Sequence, residues 1–193
     1  MNLRVAILVS GDGTTLKYFL DQDPEERNFE IALVLADVWC PAIEIARRYG
    51  VPVVVIGKAL SKDRFTRKVL AMLRLYDISL VVMAGFMRLL GPAMFMPDMF
   101  LGRVLNLHPS LLPLFPGRNA IEQTLRARPR PKESGCSVII ADEGEDTGRV
   151  FTQAKVPVYS FDTVGTLRTR IQEKEKPLYY DAVREYVELI LEW

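Results

Sequence analysis

The run Asn106-Leu107-His108-Pro109-Ser110-Leu111-Leu112-Pro113 places the chain's only histidine two residues after an asparagine, at the end of an apolar stretch. Imidazole is the side chain whose ordinary pKa lies near neutrality, so histidine acid–base chemistry has one possible location here. The Asn106 amide could donate to a negative charge developing on a reacting oxygen. Further along, Asp142, Glu143, Glu145 and Asp146 crowd into Asp142-Glu143-Gly144-Glu145-Asp146-Thr147-Gly148. One such carboxylate, brought beside His108, would orient the ring and favour its charged form. Plainer readings stand beside these: a packed core histidine, and an exposed acidic turn.

A third segment, Ser10-Gly11-Asp12-Gly13-Thr14-Thr15, follows the first apolar run. Its glycines let backbone approach a ligand, and the helix start that follows offers free N–H groups and a positive dipole end. Gly11, Asp12, Gly13, Thr14 and Thr15 therefore form a phosphate-sized candidate site, or else a tight turn whose threonine caps a helix. No Gly-Lys-Ser/Thr ending makes it a Walker loop, and Leu16 stands where a dinucleotide fingerprint needs its third glycine. Ser110 lacks the strained elbow of a serine nucleophile. One histidine and two isolated cysteines, Cys40 and Cys136, cannot build an ordinary zinc site, and the acidic run lacks calcium-loop spacing, so no metal is expected.

Short β-branched runs alternate with helical patterns and must carry these segments. Strands are predicted over 4–10, 31–36, 53–56, 80–84, 103–107, 136–141 and 152–158. Helices are predicted over 14–20, 41–49, 62–75, 118–127 and 166–191, the last broken at Pro177. Near-continuous apolar strands such as Leu80-Val81-Val82-Met83-Ala84 indicate burial on both faces. The expected fold is α/β: one domain spanning 1–193, a doubly wound, mostly parallel sheet with helices on both faces. Ligands bind such sheets beyond the carboxyl ends of the strands, where the candidate segments lie.

The 193 residues carry 25 basic and 24 acidic side chains, a formal charge of +1 that argues against nucleic acid as a partner. The basic run Arg126–Lys132 reads as a solvated loop. The cysteines read as free thiols of a reducing compartment. No signal peptide and no membrane span is expected, which predicts a cytoplasmic protein without a membrane partner.

Together, Ala84-Gly85-Phe86-Met87-Arg88-Leu89-Leu90, the Asn106–Pro113 run with Phe115-Pro116-Gly117, Asp146-Thr147-Gly148, the Gly-Asp-Gly-Thr-Thr loop and Gln153-Ala154-Lys155-Val156-Pro157-Val158 resemble the folate-dependent formyltransferases. The resemblance runs from the first strand to about Tyr180. It implies a Rossmann-like formyltransferase fold and transfer of the formyl group of 10-formyltetrahydrofolate, a co-substrate, to the amine of glycinamide ribonucleotide in purine biosynthesis. It implies Asn106, His108 and Asp146 as catalytic residues, with Gly11 to Thr15 on the ribonucleotide phosphate and Lys62 or Arg64 as a further phosphate contact. Met87, Arg88, Leu89 and Leu90, with Ala141, Asp142, Glu143, Gly144 and Glu145, match the folate pocket, and Glu175 matches an acceptor-contacting glutamate. The small molecules are the expected partners, with the protein a monomer or homodimer.

Departures from the family pattern are Asn119 and Ile139 in place of histidines, Lys176 after Glu175, and Arg149 in place of a proline. They leave an amino-sugar acceptor or formyltetrahydrofolate hydrolysis as alternatives. The extra domains of the hydrolase and of methionyl-tRNA formyltransferase are not expected here. A non-catalytic nucleotide-binding protein would have no use for Asn106, His108 and Asp146 together.

Overall fold

A computed structural model describes residues 2–192. Its order is β1 (Leu3–Val9), α1 (Thr14–Asp21), β2 (Phe29–Ala36), α2 (Pro41–Arg48), β3 (Val53–Val55), α3 (Lys62–Leu75), β4 (Leu80–Met83), a 3-10 turn (Pro92–Phe95), β5 (Val104–His108), α4 (Ala120–Arg126), β6 (Glu133–Ile140), β7 (Arg149–Pro157) and α5 (Val164–Leu191). The strands form a single seven-stranded sheet in the order β3-β2-β1-β4-β5-β6-β7. The first five run parallel, whereas β6 is antiparallel to both β5 and β7. The chain winds outward from β1 through β2 to β3, then returns to β4 on the other side of β1. That reversal opens a crevice past the strand ends, the usual ligand position in a doubly wound sheet.

The two faces follow from alternation along each strand. In β1, Val5, Ile7 and Val9 join Phe19 of α1, Ile43 of α2 and Tyr179 and Val183 of α5, while Ala6 and Leu8 pack with Phe65, Val69 and Leu73 of α3. A smaller cluster seats Ile121 and Leu125 of α4 against Cys136, Leu167 and Ile171. Helices therefore cover both faces, as the apolar strands require.

Three sequence expectations change. Helix α5 passes through Pro177 without a break. Proline removes one hydrogen bond from a helix, and burial of Tyr179, Tyr180, Val183 and Val187 beyond it holds the last turns in place. The helix also begins earlier, after Thr163, which forms a capping box with Thr166. The basic run is not merely solvated: the Arg128 guanidinium donates to the carbonyls of Leu125, Arg126 and Ala127, and Arg130 Nε to Leu125. These arginines satisfy the end of α4, where cations complement the helix dipole. Among the described residues, no helix is long and apolar enough to cross a membrane.

Candidate active site

Asn106 and His108 stand two apart on β5 and so point to one face of the sheet, while Leu105 and Leu107 turn to the core on the other. The acidic loop between β6 and β7 folds back so that Asp146 meets both. Asp146 Oδ2 lies 3.0 Å from His108 Nδ1, and Asp146 Oδ1 accepts from Asn106 Nδ2 at 3.3 Å. A third donor, the Gly117 N–H, reaches Asp146 Oδ2 at 2.9 Å. His108 Nε2 lies 2.9 Å from the Phe115 carbonyl. The histidine is 4% exposed, and both ring nitrogens are engaged.

Burial alone would push the His108 pKa down. The Asp146 hydrogen bond, the Phe115 carbonyl and the charges of Asp146 and Glu175 outweigh it and hold the ring above its ordinary value. Burial likewise works to raise Asp146, yet the His108 contact and charge, the Gly117 N–H and the Asn106 amide hold its carboxyl low. The site thus favours an imidazolium–carboxylate pair. Glu175, on α5, is a carboxyl for which loss of water dominates: it is pushed up to about 7 against the charges of His108, Lys176 and Arg168.

All three groups open onto one cleft of about 1120 Å³ that runs over the strand ends. The Gly11–Thr15 loop lines it, past the end of β1. Gly13 has a φ of 75°, and a Cβ there would meet the Ala42 side chain at 2.7 Å, so the left-handed turn and the close approach of α2 both demand glycine. Asp12 Oδ1 accepts from the Thr14 N–H at 3.3 Å, an Asx-type turn inside the loop. Met87, Arg88, Leu89 and Leu90 line the cleft beside this loop, the Met87 N–H donating to Ser10 Oγ at 2.9 Å, and Ala141, Asp142, Glu143, Gly144 and Glu145 line it as well. Asp142 staples its own loop, accepting from the Gly144 N–H and the Thr147 hydroxyl.

Two expected residues are not among those lining the cleft. Lys62 and Arg64 are exposed on the first turn of α3, where the Arg64 N–H is occupied by the Ser61 cap. Cleft-lining cations come instead from Lys58, Arg88, Arg118 and Arg168. Arg88 is drawn onto the carbonyls of Lys58 and Leu60 and stacks 4.0 Å over Phe65. Asp37, Lys58, Arg118, Arg168 and Gln172 escaped the sequence reading. For Asp37 and Lys58 a signal existed, since each closely follows the carboxyl end of a predicted strand. Ser110 is spoken for structurally: its hydroxyl donates to the Leu114 carbonyl at 2.6 Å.

The model of the formyl transferase family matches residues 3–183. The chain belongs to the formyl transferase family. This formyltransferase is 37% identical over 182 residues to the phosphoribosylglycinamide formyltransferase of Mycobacterium tuberculosis (strain ATCC 25618 / H37Rv), covering 93% of this chain and 83% of that one. It is also 37% identical over 186 residues to the human trifunctional purine biosynthetic protein adenosine-3, spanning 94% of this chain but 18% of that protein. Among solved structures, glycinamide ribonucleotide transformylase 1 from Symbiobacterium toebii superposes with a TM-score of 0.89 at 38% identity, over 97% of this chain and 88% of that one. The phosphoribosylglycinamide formyltransferase from Bacillus halodurans gives 0.87 at 36% identity, over 95% of each chain.

Proposed function

We propose that Asn106, His108 and Asp146 are the catalytic groups of formyl transfer from 10-formyltetrahydrofolate to the amine of glycinamide ribonucleotide. The chain is a formyltransferase of purine biosynthesis, and 10-formyltetrahydrofolate is its co-substrate. The observation that carries the residue roles is the Asp146 carboxylate, which gathers the Asn106 amide, the His108 ring and the Gly117 N–H at the floor of the cleft.

The folate supplies the formyl carbon on N10. The acceptor amine forms its bond to that carbon, the bond to N10 breaks, and one amine proton ends on N10. A site for this reaction must stabilise negative charge on the formyl oxygen and guide that proton. The buried imidazolium of His108 supplies a fixed positive charge. At 3.3 Å, the Asn106 bond is the longest of the three on Asp146 and the amide most easily turned to the formyl oxygen. Asp146 keeps the ring charged and orients the water that relays the proton.

Leu90, Ile139 and Ala141 give the folate end an apolar wall suited to a flat pteridine, and the peptide groups of the 141–145 loop edge it. The Gly11–Thr15 loop seats the acceptor phosphate, and Glu175 faces the acceptor amine.

The test is to mix the protein with 10-formyltetrahydrofolate and glycinamide ribonucleotide and follow tetrahydrofolate and formylated nucleotide together. Stoichiometric appearance of both is expected, with turnover lowered about 10²–10³-fold by His108→Ala and by Asp146→Ala. Near-normal turnover in both variants overturns these roles. Tetrahydrofolate without formylated nucleotide would point to hydrolysis.

A further inference from the structure

Asp37 follows the last residue of β2 and lines the cleft on the side of the Gly11–Thr15 loop away from His108. It is 2% exposed, its Oδ1 is sealed from solvent, and no hydrogen bond reaches that atom among the described residues. An unpartnered buried carboxylate oxygen is unfavourable, so the position calls for a donor brought by something else. Lys58, just past β3, lines the same side and forms no ion pair among the described residues.

The surroundings say which donor. The phosphate-sized loop closes β1, the acid closes β2, and β3, β2 and β1 are adjacent parallel strands. In doubly wound nucleotide folds this is the relation between the turn that holds phosphate and the acid that accepts from a ribose hydroxyl. A cis-diol offers two O–H donors to one carboxylate, which matches a side chain lacking partners. A divalent cation fits less well, since no group of three or more His, Cys, Asp or Glu gathers among the described residues.

We propose that the β1–β2–β3 side of the cleft is a second ligand seat: it takes a 5′-ribonucleotide whose phosphate lies on the Gly11–Thr15 loop and whose 2′,3′-diol donates to Asp37. The proposal rests on the reading of that loop as a phosphate seat and goes beyond it. Acceptor and ribonucleotide share the loop but lie on opposite sides of it, the acceptor toward Glu175 and the ribonucleotide toward Asp37. They therefore exclude each other, and a ribonucleotide product pool would restrain formyl transfer without touching His108.

Adenosine 5′-monophosphate is the probe, with binding measured by calorimetry on the full chain and inhibition measured against glycinamide ribonucleotide. Binding competitive with the acceptor is expected. It should weaken about tenfold or more for 2′,3′-dideoxyadenosine 5′-monophosphate and for the Asp37→Asn chain, the loss of charge-assisted hydrogen bonds. The dideoxy comparison uses the unaltered chain and stands even if Asp37→Asn fails to fold. Equal binding of the two nucleotides overturns the diol contact while leaving the phosphate loop. Inhibition that is not competitive overturns the shared seat. No binding at millimolar nucleotide, with glycinamide ribonucleotide turned over normally, overturns the proposal alone. Failure of the wild-type chain to formylate glycinamide ribonucleotide is the separate result that would count against the proposed function.

Discussion

Asp146 holds a φ of 55°, a left-handed backbone that non-glycine residues adopt at some expense and that Asn and Asp tolerate best. Phe115, whose carbonyl receives His108, has the same 55°. Both partners of the histidine are thus set by strained backbone, a pattern associated with functional sites. Asp146→Asn keeps the shape and the tolerated φ but removes the charge. Turnover should fall about 10²–10³-fold while the fold is kept. The His108 pKa should drop, which proton NMR of the single imidazole would read directly. Asp146→Ala should be less stable than Asp146→Asn by about 1 kcal/mol in urea, because alanine suffers the left-handed strain. Glu175 makes a different prediction. Its carboxyl, pushed up to about 7, ionises across the physiological range, and the ionised form attracts the acceptor amine. The acceptor kcat/KM should rise as pH passes through about 7, and Glu175→Gln should flatten that limb. The raised carboxyl stabilises the fold only while protonated, fully below its unfolded value, and loses that contribution as pH rises through about 7. At pH 8, Glu175→Gln should therefore resist urea better than the wild type; a lower midpoint would contradict the burial argument.

At the scale of elements, α5 fastens the sheet where the site begins. The fully buried Tyr179 hydroxyl lies 2.8 Å from the Leu105 carbonyl and 3.1 Å from the Met83 carbonyl, bridging the ends of β5 and β4. Tyr179→Phe leaves buried acceptors short of a donor and should lower stability by about 1–3 kcal/mol. The corresponding fall in Tm is about 2–4 °C for each kcal/mol in a chain of this size. Thermal unfolding followed by circular dichroism checks it, and an unchanged Tm would mean that water replaces the hydroxyl. The strands themselves were legible as apolar runs, because a central parallel strand is buried on both faces and carries no polar alternation to confuse it. The direction of β6 and β7 was not read individually, although the signal was present: a parallel return needs a crossover of a dozen or more residues, and only the Ala141–Gly148 loop joins them. The start of α5 shifted because Thr163 and Thr166 form a reciprocal cap that periodicity does not weigh. Asn106 and His108 could be paired from their spacing on a strand. That Asp146, Gly117 and Phe115 converge on them depends on tertiary folding, which spacing does not encode. Lys62 and Arg64 show the reverse: a position matched along the chain falls on an exposed helical turn, while Lys58 reaches the cleft.

Across the whole molecule, stability depends on charge at two distant points of the same framework. One is the His108–Asp146 pair at the strand ends, and the other is Asp162, before α5. Arg170 grips Asp162 through two guanidinium nitrogens at 2.8 and 2.9 Å, and the Thr166 hydroxyl and Tyr159 N–H add further bonds at 2.8 Å each. The Arg170 bonds lead in holding the Asp162 carboxyl far below the ordinary range, and Asp146 is also depressed. A depressed carboxylate contributes stability above its unfolded pKa of about 4 and loses it as pH falls toward the folded value. His108 has the opposite sign: its raised pKa contributes below the unfolded value of about 6.5 and is lost as pH climbs through the folded one. The two trends bound a range of greatest stability at mildly acidic to neutral pH, within which the Glu175 contribution declines as pH rises toward about 7. Below that range, the latch at the start of α5 should release, and because α5 packs over β5, β6 and β7, unfolding should remain cooperative. Urea midpoints measured from pH 7 down to pH 2.5 should fall steeply below about pH 4 for the wild type. Asp162→Asn should begin lower at pH 7 and fall less steeply, so the two curves converge in acid. A constant separation at every pH would show that Asp162 acts through hydrogen-bonding shape alone and that the acid limb belongs to the His108–Asp146 pair.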